Sequence, residues 1–144
     1  MRHIPSAFVD SDVIISSLIS SKGAAYILLN KISDRLVVSS QSVQELERVV
    51  TREKMSLDAL HATLSLLRVV PLTAINNDLV SYYSTFVLDP DDSHIVAGAV
   101  VANVKFLITY NTRHFSILQI KNKFNITVLK PGNYLQYLRS INGI

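Results

Sequence analysis

Acids and amides recur in this chain where short apolar runs end. Asp10 and Asp12 follow Ala7-Phe8-Val9 at a spacing of i and i+2. One Asp at such a place caps the next helix by accepting backbone N–H bonds. Two are more than a cap needs, and capping and chemistry both stay open for the pair. Glu45 lies in Ser40-Gln41-Ser42-Val43-Gln44-Glu45-Leu46, where Ser42 and Glu45 fit a capping box. The same Glu, in a first helical turn, also points toward the strand ends. Asp89, Asp91 and Asp92 put three acids within four residues before an apolar helix. Capping and the helix dipole account for one of them. The rest is surplus negative charge that a cation would relieve. Thr109-Tyr110-Asn111 closes another apolar run. Asn is an ordinary turn residue, and it also offers a polar oxygen, with Arg113 nearby for phosphate. His94, a lone helical histidine, is left off the expected metal ligands, and Glu47 falls on a solvated side of its helix.

Clustered carboxylates repel unless cations sit among them. The chain has no cysteine, so any metal is held by oxygen or by the four histidines. An oxygen-rich cluster suits Mg²⁺ or Mn²⁺. Such a centre activates water and stabilises charge developing on a phosphodiester.

Five β-rich runs can carry these residues: Ala7 to Asp10, Leu36 to Ser39, Arg68 to Leu72, Lys105 to Thr109 and Asn125 to Leu129. Helix-period segments lie between most of them. Val43, Leu46, Val49 and Val50 share a face, as do Leu57, Leu60, Leu64 and Leu67, and Ile95, Val96, Ala99 and Val100. Tyr134, Leu135 and Leu138 mark a last helix after Pro131-Gly132. Alternating strands and helices predict an α/β fold with a parallel sheet of about five strands covered on both faces. Pro71 places the third run at an edge or a strand end. In open α/β sheets the ligand site lies beyond the carboxyl ends of the strands, which is where the acids fall.

At 144 residues, 49% hydrophobic and 17% charged, the chain is expected to form one folded domain over residues 1–144. No apolar run reaches membrane-spanning length, and the N-terminus lacks a signal-peptide core, so a cytoplasmic protein is expected. The net charge of +3 is unevenly spread: residues 1–92 carry 8 Lys/Arg and 11 Asp/Glu, while residues 93–144 carry six Lys/Arg and no acid. A basic half beside an acid-bearing one suits a polyanionic substrate.

Four segments together resemble the PIN-domain family, particularly the toxin ribonucleases of toxin–antitoxin pairs. Phe8 to Ser16, FVDSDVIIS, resembles its opening strand motif. Ser39 to Val50, SSQSVQELERVV, resembles the second, with Glu45 as its acid. Leu88 to Ala99, LDPDDSHIVAGA, resembles the third, with Asp92 at the acid position and Asp89 upstream. Phe106 to Phe115, FLITYNTRHF, resembles the fourth, a strand ending in Thr-x-Asp or Thr-x-Asn. The resemblance implies a three-layer α/β/α fold. It implies a site of Asp10, Glu45 and Asp92, with Asp89, Asn111 or both as further members, binding Mg²⁺ or Mn²⁺. Asp12 stands where the family often has Asn, and Asn111 where many members have Asp. The charge count is roughly kept, but neutral Asn111 is a poor substitute for a bridging carboxylate.

The activity implied is hydrolysis of RNA phosphodiester bonds. Asp10 and Asp92 would hold the cation, and Glu45 would be a ligand or would orient the attacking water. Asp12, Asn111 and Thr109 would support them. Lys105, Arg113, Lys121, Lys123 and Lys130 are candidate phosphate contacts. A small antitoxin protein and a homodimer are the implied partners; Tyr134 and Tyr137 of the last helix serve either an interface or the core. Two alternatives stand beside this reading. Asp10-x-Asp12 after an apolar strand also resembles the nucleophile loop of haloacid-dehalogenase phosphatases, although Ile14 occupies the place of their usual Thr. A catalytically weak PIN-like module that binds RNA or protein is the other.

Overall fold

Strand Ala7–Val9 (β1) passes directly into helix Ser11–Ile19 (α1), and this close succession of strand and helix is repeated along the chain. The computed structural model describes residues 4–72 and 77–142. In chain order there follow α2 (Ala24–Lys31), β2 (Leu36–Ser39), α3 (Ser40–Arg52), α4 (Leu57–Leu64), β3 (Arg68–Val70) and α5 (Asn77–Ser84). Then come α6 (Ser93–Val101), β4 (Phe106–Ile108), α7 (Ile117–Phe124), β5 (Thr127–Leu129) and α8 (Pro131–Asn142), with short 3-10 turns at Ser33–Arg35, Pro90–Asp92 and Thr112–His114. All five expected strands form, Leu36–Ser39 at its expected bounds and the other four trimmed, and they make one parallel sheet in the order β3-β2-β1-β4-β5. Pro71 follows β3, which is both an edge strand and finished at Val70.

Period-two alternation along the strands divides the core. Ala7, Val9, Leu36, Val38 and Ile108 join Leu28, Leu46, Leu60 and Leu138 on one face. Phe8, Val37, Leu107 and Val128 join Phe86, Ile95, Val96 and Ile120 on the other. This is the three-layer α/β/α arrangement. Tyr134 is fully buried and its hydroxyl donates to the Pro5 carbonyl at 3.1 Å, so it belongs to the core rather than to an interface. Tyr137 packs on Phe106 and is partly exposed. Among the described residues no single helix is long and apolar enough to cross a membrane.

Strand order reverses at β1: β2 and β3 extend one way, β4 and β5 the other. A crevice forms at such a reversal, outside the carboxyl ends of the two central strands. Two local devices set its walls. Ser39, the last residue of β2, is also the cap of α3, accepting the Ser42 N–H at 3.0 Å. The expected capping box of Ser42 and Glu45 is therefore not used. The helix starts three residues earlier, which moves Glu45 out of the first turn. On the other face, Gly98 lets α6 lie against β1: a Cβ there would come 2.7 Å from the Phe8 ring.

Candidate active site at the carboxyl rim of the sheet

Asp10 follows β1 and its N–H continues the ladder to the Ile108 carbonyl at 2.9 Å. Its Oδ1 accepts the Ser11 N–H at 2.7 Å, so it does cap α1. Its Oδ2 accepts the hydroxyl of buried Thr109, just past β4, at 2.9 Å. That hydroxyl also lies 3.3 Å from Asp12 Oδ2. A hydroxyl has one proton, so the shorter contact holds it, while the Asn111 N–H donates to the Thr109 oxygen at 3.0 Å. Asp12 Oδ2 instead receives the Tyr110 N–H at 3.1 Å and the Asn111 side-chain amide at 3.0 Å. The Asn111 amide is thus spent on Asp12. Asp12 Oδ1 is buried without a hydrogen-bond partner among the described residues.

The three acids of the next segment divide their work. Asp89 caps the 3-10 turn, its Oδ1 accepting the Asp91 N–H at 3.0 Å. Asp92 stands at the start of α6, yet its carboxylate makes no capping bond. It lies 3.7 Å from His114 Nδ1 instead. Glu45, reaching across from α3, accepts a hydrogen bond from His94 Nε2 at 3.0 Å. Gln41, Glu45, Arg48, Asp91, Asp92 and His94 line a polar pocket of about 370 Å³.

Charge and burial set the proton affinities of these groups. Burial pushes Asp10 from 3.8 up to about 7; the Asp12 charge adds to this, bonds from Thr109 and Ser11 oppose it, and Asp92 adds a little. Burial likewise raises Asp12, opposed chiefly by the Tyr110 N–H. Burial and then the Asp89 charge raise Asp92, with His114 and His94 lowering it and Glu45 raising it. Glu45 alone is lowered, first by its bond from His94, against burial, and further by the charges of His94 and Arg48. As placed, and among the described residues, no three acid or histidine side chains converge closely enough to hold one ion. The donor chemistry nevertheless fits a hard divalent cation: carboxylate oxygens, no thiolate, an orphaned buried Oδ1 on Asp12, and three acids held above their ordinary proton affinity.

The fold brings Asp10, Asp12, Glu45, Asp92, Thr109 and Asn111 to one rim, with Asp89 on the adjoining turn and Arg113 beside Asn111. Lys130 follows β5 at that same end. Three of the expected phosphate contacts are not there. Lys105 precedes β4 at the opposite end of the sheet, where Phe106 pairs with Ala7. Lys121 and Lys123 lie in the last turn of α7 near the start of β5, with Lys121 donating to Asn125 at 2.9 Å. A three-residue strand separates these lysines from the rim by about 10 Å at least. Sequence reasoning missed Gln41, Arg48 and His114, and set His94 aside. Spacing offered a signal for Gln41 and Arg48, four before and three after Glu45 on one helix face; none was available for the histidines' partners.

The fold and rim define an α/β domain with an acidic crevice at the reversal of its strand order. A family profile for the PIN domain matches residues 6–113, and the chain belongs to that family. Among curated proteins none matches it. Solved structures share its fold. One is a toxin–antitoxin complex from Klebsiella pneumoniae (21% identity, 88% of this chain and 98% of that one, TM-score 0.61). Another is PAE2754 from Pyrobaculum aerophilum (15%, 94% and 96%, TM-score 0.61). A third is VapBC2 from Rickettsia felis bound to a DNA fragment from its promoter (16%, 86% and 97%, TM-score 0.58). The family match displaces the haloacid-dehalogenase reading of Asp10 and Asp12.

Proposed function

We propose that the chain is a divalent-metal-dependent endoribonuclease, acting in the cytoplasm as the toxin of a toxin–antitoxin pair. The observation that supports this is the chain of charge coupling at the carboxyl end of the sheet: Asp92 acts on Asp10 and Glu45 acts on Asp92, the three coming from separate elements. Asp10, Glu45 and Asp92 are the residues to hold Mg²⁺ or Mn²⁺, which when bound supplies charge for a developing phosphoryl oxyanion and lowers the proton affinity of water. Thr109 keeps Asp10 oriented through its hydroxyl, and Asn111 does the same for Asp12. Glu45, lowered in proton affinity, is the carboxylate fitted to accept a hydrogen bond from the attacking water. Arg48, Arg113 and Lys130 are the cations on the rim for the RNA backbone. A small antitoxin and a homodimer are the proposed partners, the first in keeping with the toxin–antitoxin complex from Klebsiella pneumoniae among the structures of like fold.

Asp10→Ala tests the site. The variant should remain folded and lose Mn²⁺-dependent cleavage of single-stranded RNA, and cleavage at the wild-type rate would refute the assignment. Co-purification with the product of an adjacent short reading frame tests the partner. Neutral Asn111 and the lack of a converged ligand triad favour a second reading, a binding module with weak catalysis. Calorimetric titration that finds RNA binding without Mn²⁺ or Mg²⁺ binding would select it.

A further inference from the structure

We propose that His94 is a positioning residue for Glu45, a role that rests on the nuclease reading of this rim. The two side chains come from α3 and α6, 49 residues apart, and meet at 3.0 Å between His94 Nε2 and Glu45 Oε2. A carboxylate only accepts, so the imidazole proton sits on Nε2. The side chain of His94 is 7% exposed and that of Glu45 is 40% exposed. The imidazole is therefore the fixed member and the carboxylate the one being fixed. Ser93, Ile95 and Val96 are buried on either side of it, and Gly98 seats the same helix against Phe8.

His94 Nδ1 is buried and has no partner among the described residues. The ring's one hydrogen bond is thus directed at Glu45. A free Glu side chain samples many rotamers, and fixing one has an entropic cost. His94 meets that cost in the folded protein, before any cation or substrate arrives. With Oε2 engaged by His94, the Glu45 carboxylate is held in the wall of the polar pocket it lines with Asp92 and Arg48. Outer-shell partners of this kind orient the groups that ligate a metal.

The test uses the full-length protein, with Mn²⁺ alone as the probe in calorimetry and a short single-stranded RNA for kinetics. His94→Leu keeps an apolar side chain and removes the donor. His94→Gln restores a donor near the Nε2 position, and His94→Asn places one near Nδ1. We expect His94→Leu and His94→Asn to weaken Mn²⁺ binding roughly 10- to 100-fold and to lower kcat. His94→Gln should stay close to wild type. In a Glu45→Ala background, His94→Leu should cause no further loss, which covers a general effect of the substitution on folding. Imidazole ¹⁵N shifts of the metal-free protein should report the Nε2–H tautomer. Equal Mn²⁺ affinity in the Leu, Gln and Asn variants, a further loss in the Glu45→Ala background, or an Nδ1–H tautomer would each overturn the role of His94 while leaving the nuclease reading intact. A wild type that neither binds Mn²⁺ nor cleaves RNA would overturn both.

Discussion

Asp10→Asn should make the metal-free protein more stable at pH 8 while removing its activity. Asp10 is raised from 3.8 to about 7, chiefly by burial and by the Asp12 charge. A raised carboxyl binds its proton more tightly in the folded state than in the unfolded one. Stability from this group is therefore complete below pH 3.8 and is lost as pH rises toward 7, at about 1.4 kcal/mol per pH unit. The accumulated cost above pH 7 is at most about 4 kcal/mol. Asp12 and Asp92 are shifted the same way and steepen the decline. Asn cannot ionise, and its carbonyl can still accept the Ser11 N–H that Asp10 Oδ1 accepts at 2.7 Å. Its amide meets the Thr109 hydroxyl less well, a loss of about 1 kcal/mol that does not vary with pH. Urea unfolding in EDTA at pH 5 and pH 8 reads the difference. The stability of Asp10→Asn relative to wild type should grow by about 3 kcal/mol between these two values. Adding Mn²⁺ should stabilise wild type and not the variant. A difference between the two proteins that is the same at pH 5 and pH 8 would show that Asp10 is not held protonated by this rim.

Gly98→Ala puts a methyl 2.7 Å from the Phe8 ring and should cost about 1–3 kcal/mol in thermal unfolding; an unchanged melting temperature would contradict the close seating of α6 on β1. Arg48→Ala should weaken binding of single-stranded RNA in EDTA and reduce the slope of log K against log salt by about 0.7, and an unaltered slope would remove Arg48 from the substrate path. Thr109→Val withdraws the 2.9 Å donor from Asp10 Oδ2, so the fall in metal-free stability with pH should extend to higher pH than in wild type. A pH profile that superimposes on wild type would rule out Thr109 as the group holding Asp10.

Legible in the residues alone are the set of elements and the rim on which the chemistry gathers. The runs beginning at Ala7, Leu36, Arg68, Lys105 and Asn125 hold the five strands. Period-two and helix-period patterns report burial within a few residues, so they are legible without coordinates. With the strands placed, the carboxyl-end rule put Asp10, Asp92 and Thr109 on one edge. Contacts between distant segments settle which residues act on which. That Asp89 rather than Asp92 supplies the capping bond depends on the path of the Pro90–Asp92 turn. That Ser39 rather than Ser42 caps α3 depends on where β2 stops. His94 and Glu45 are joined only because α3 and α6, on opposite faces of the sheet, both start at its carboxyl end. Lys105, Lys121 and Lys123 look equivalent to Lys130 in the sequence, yet strand register sends them to the far end. Hydrogen bonds and charge coupling fall off over a few ångströms. The separations that govern them come from packing across the sheet, and a local pattern of residues carries no record of it.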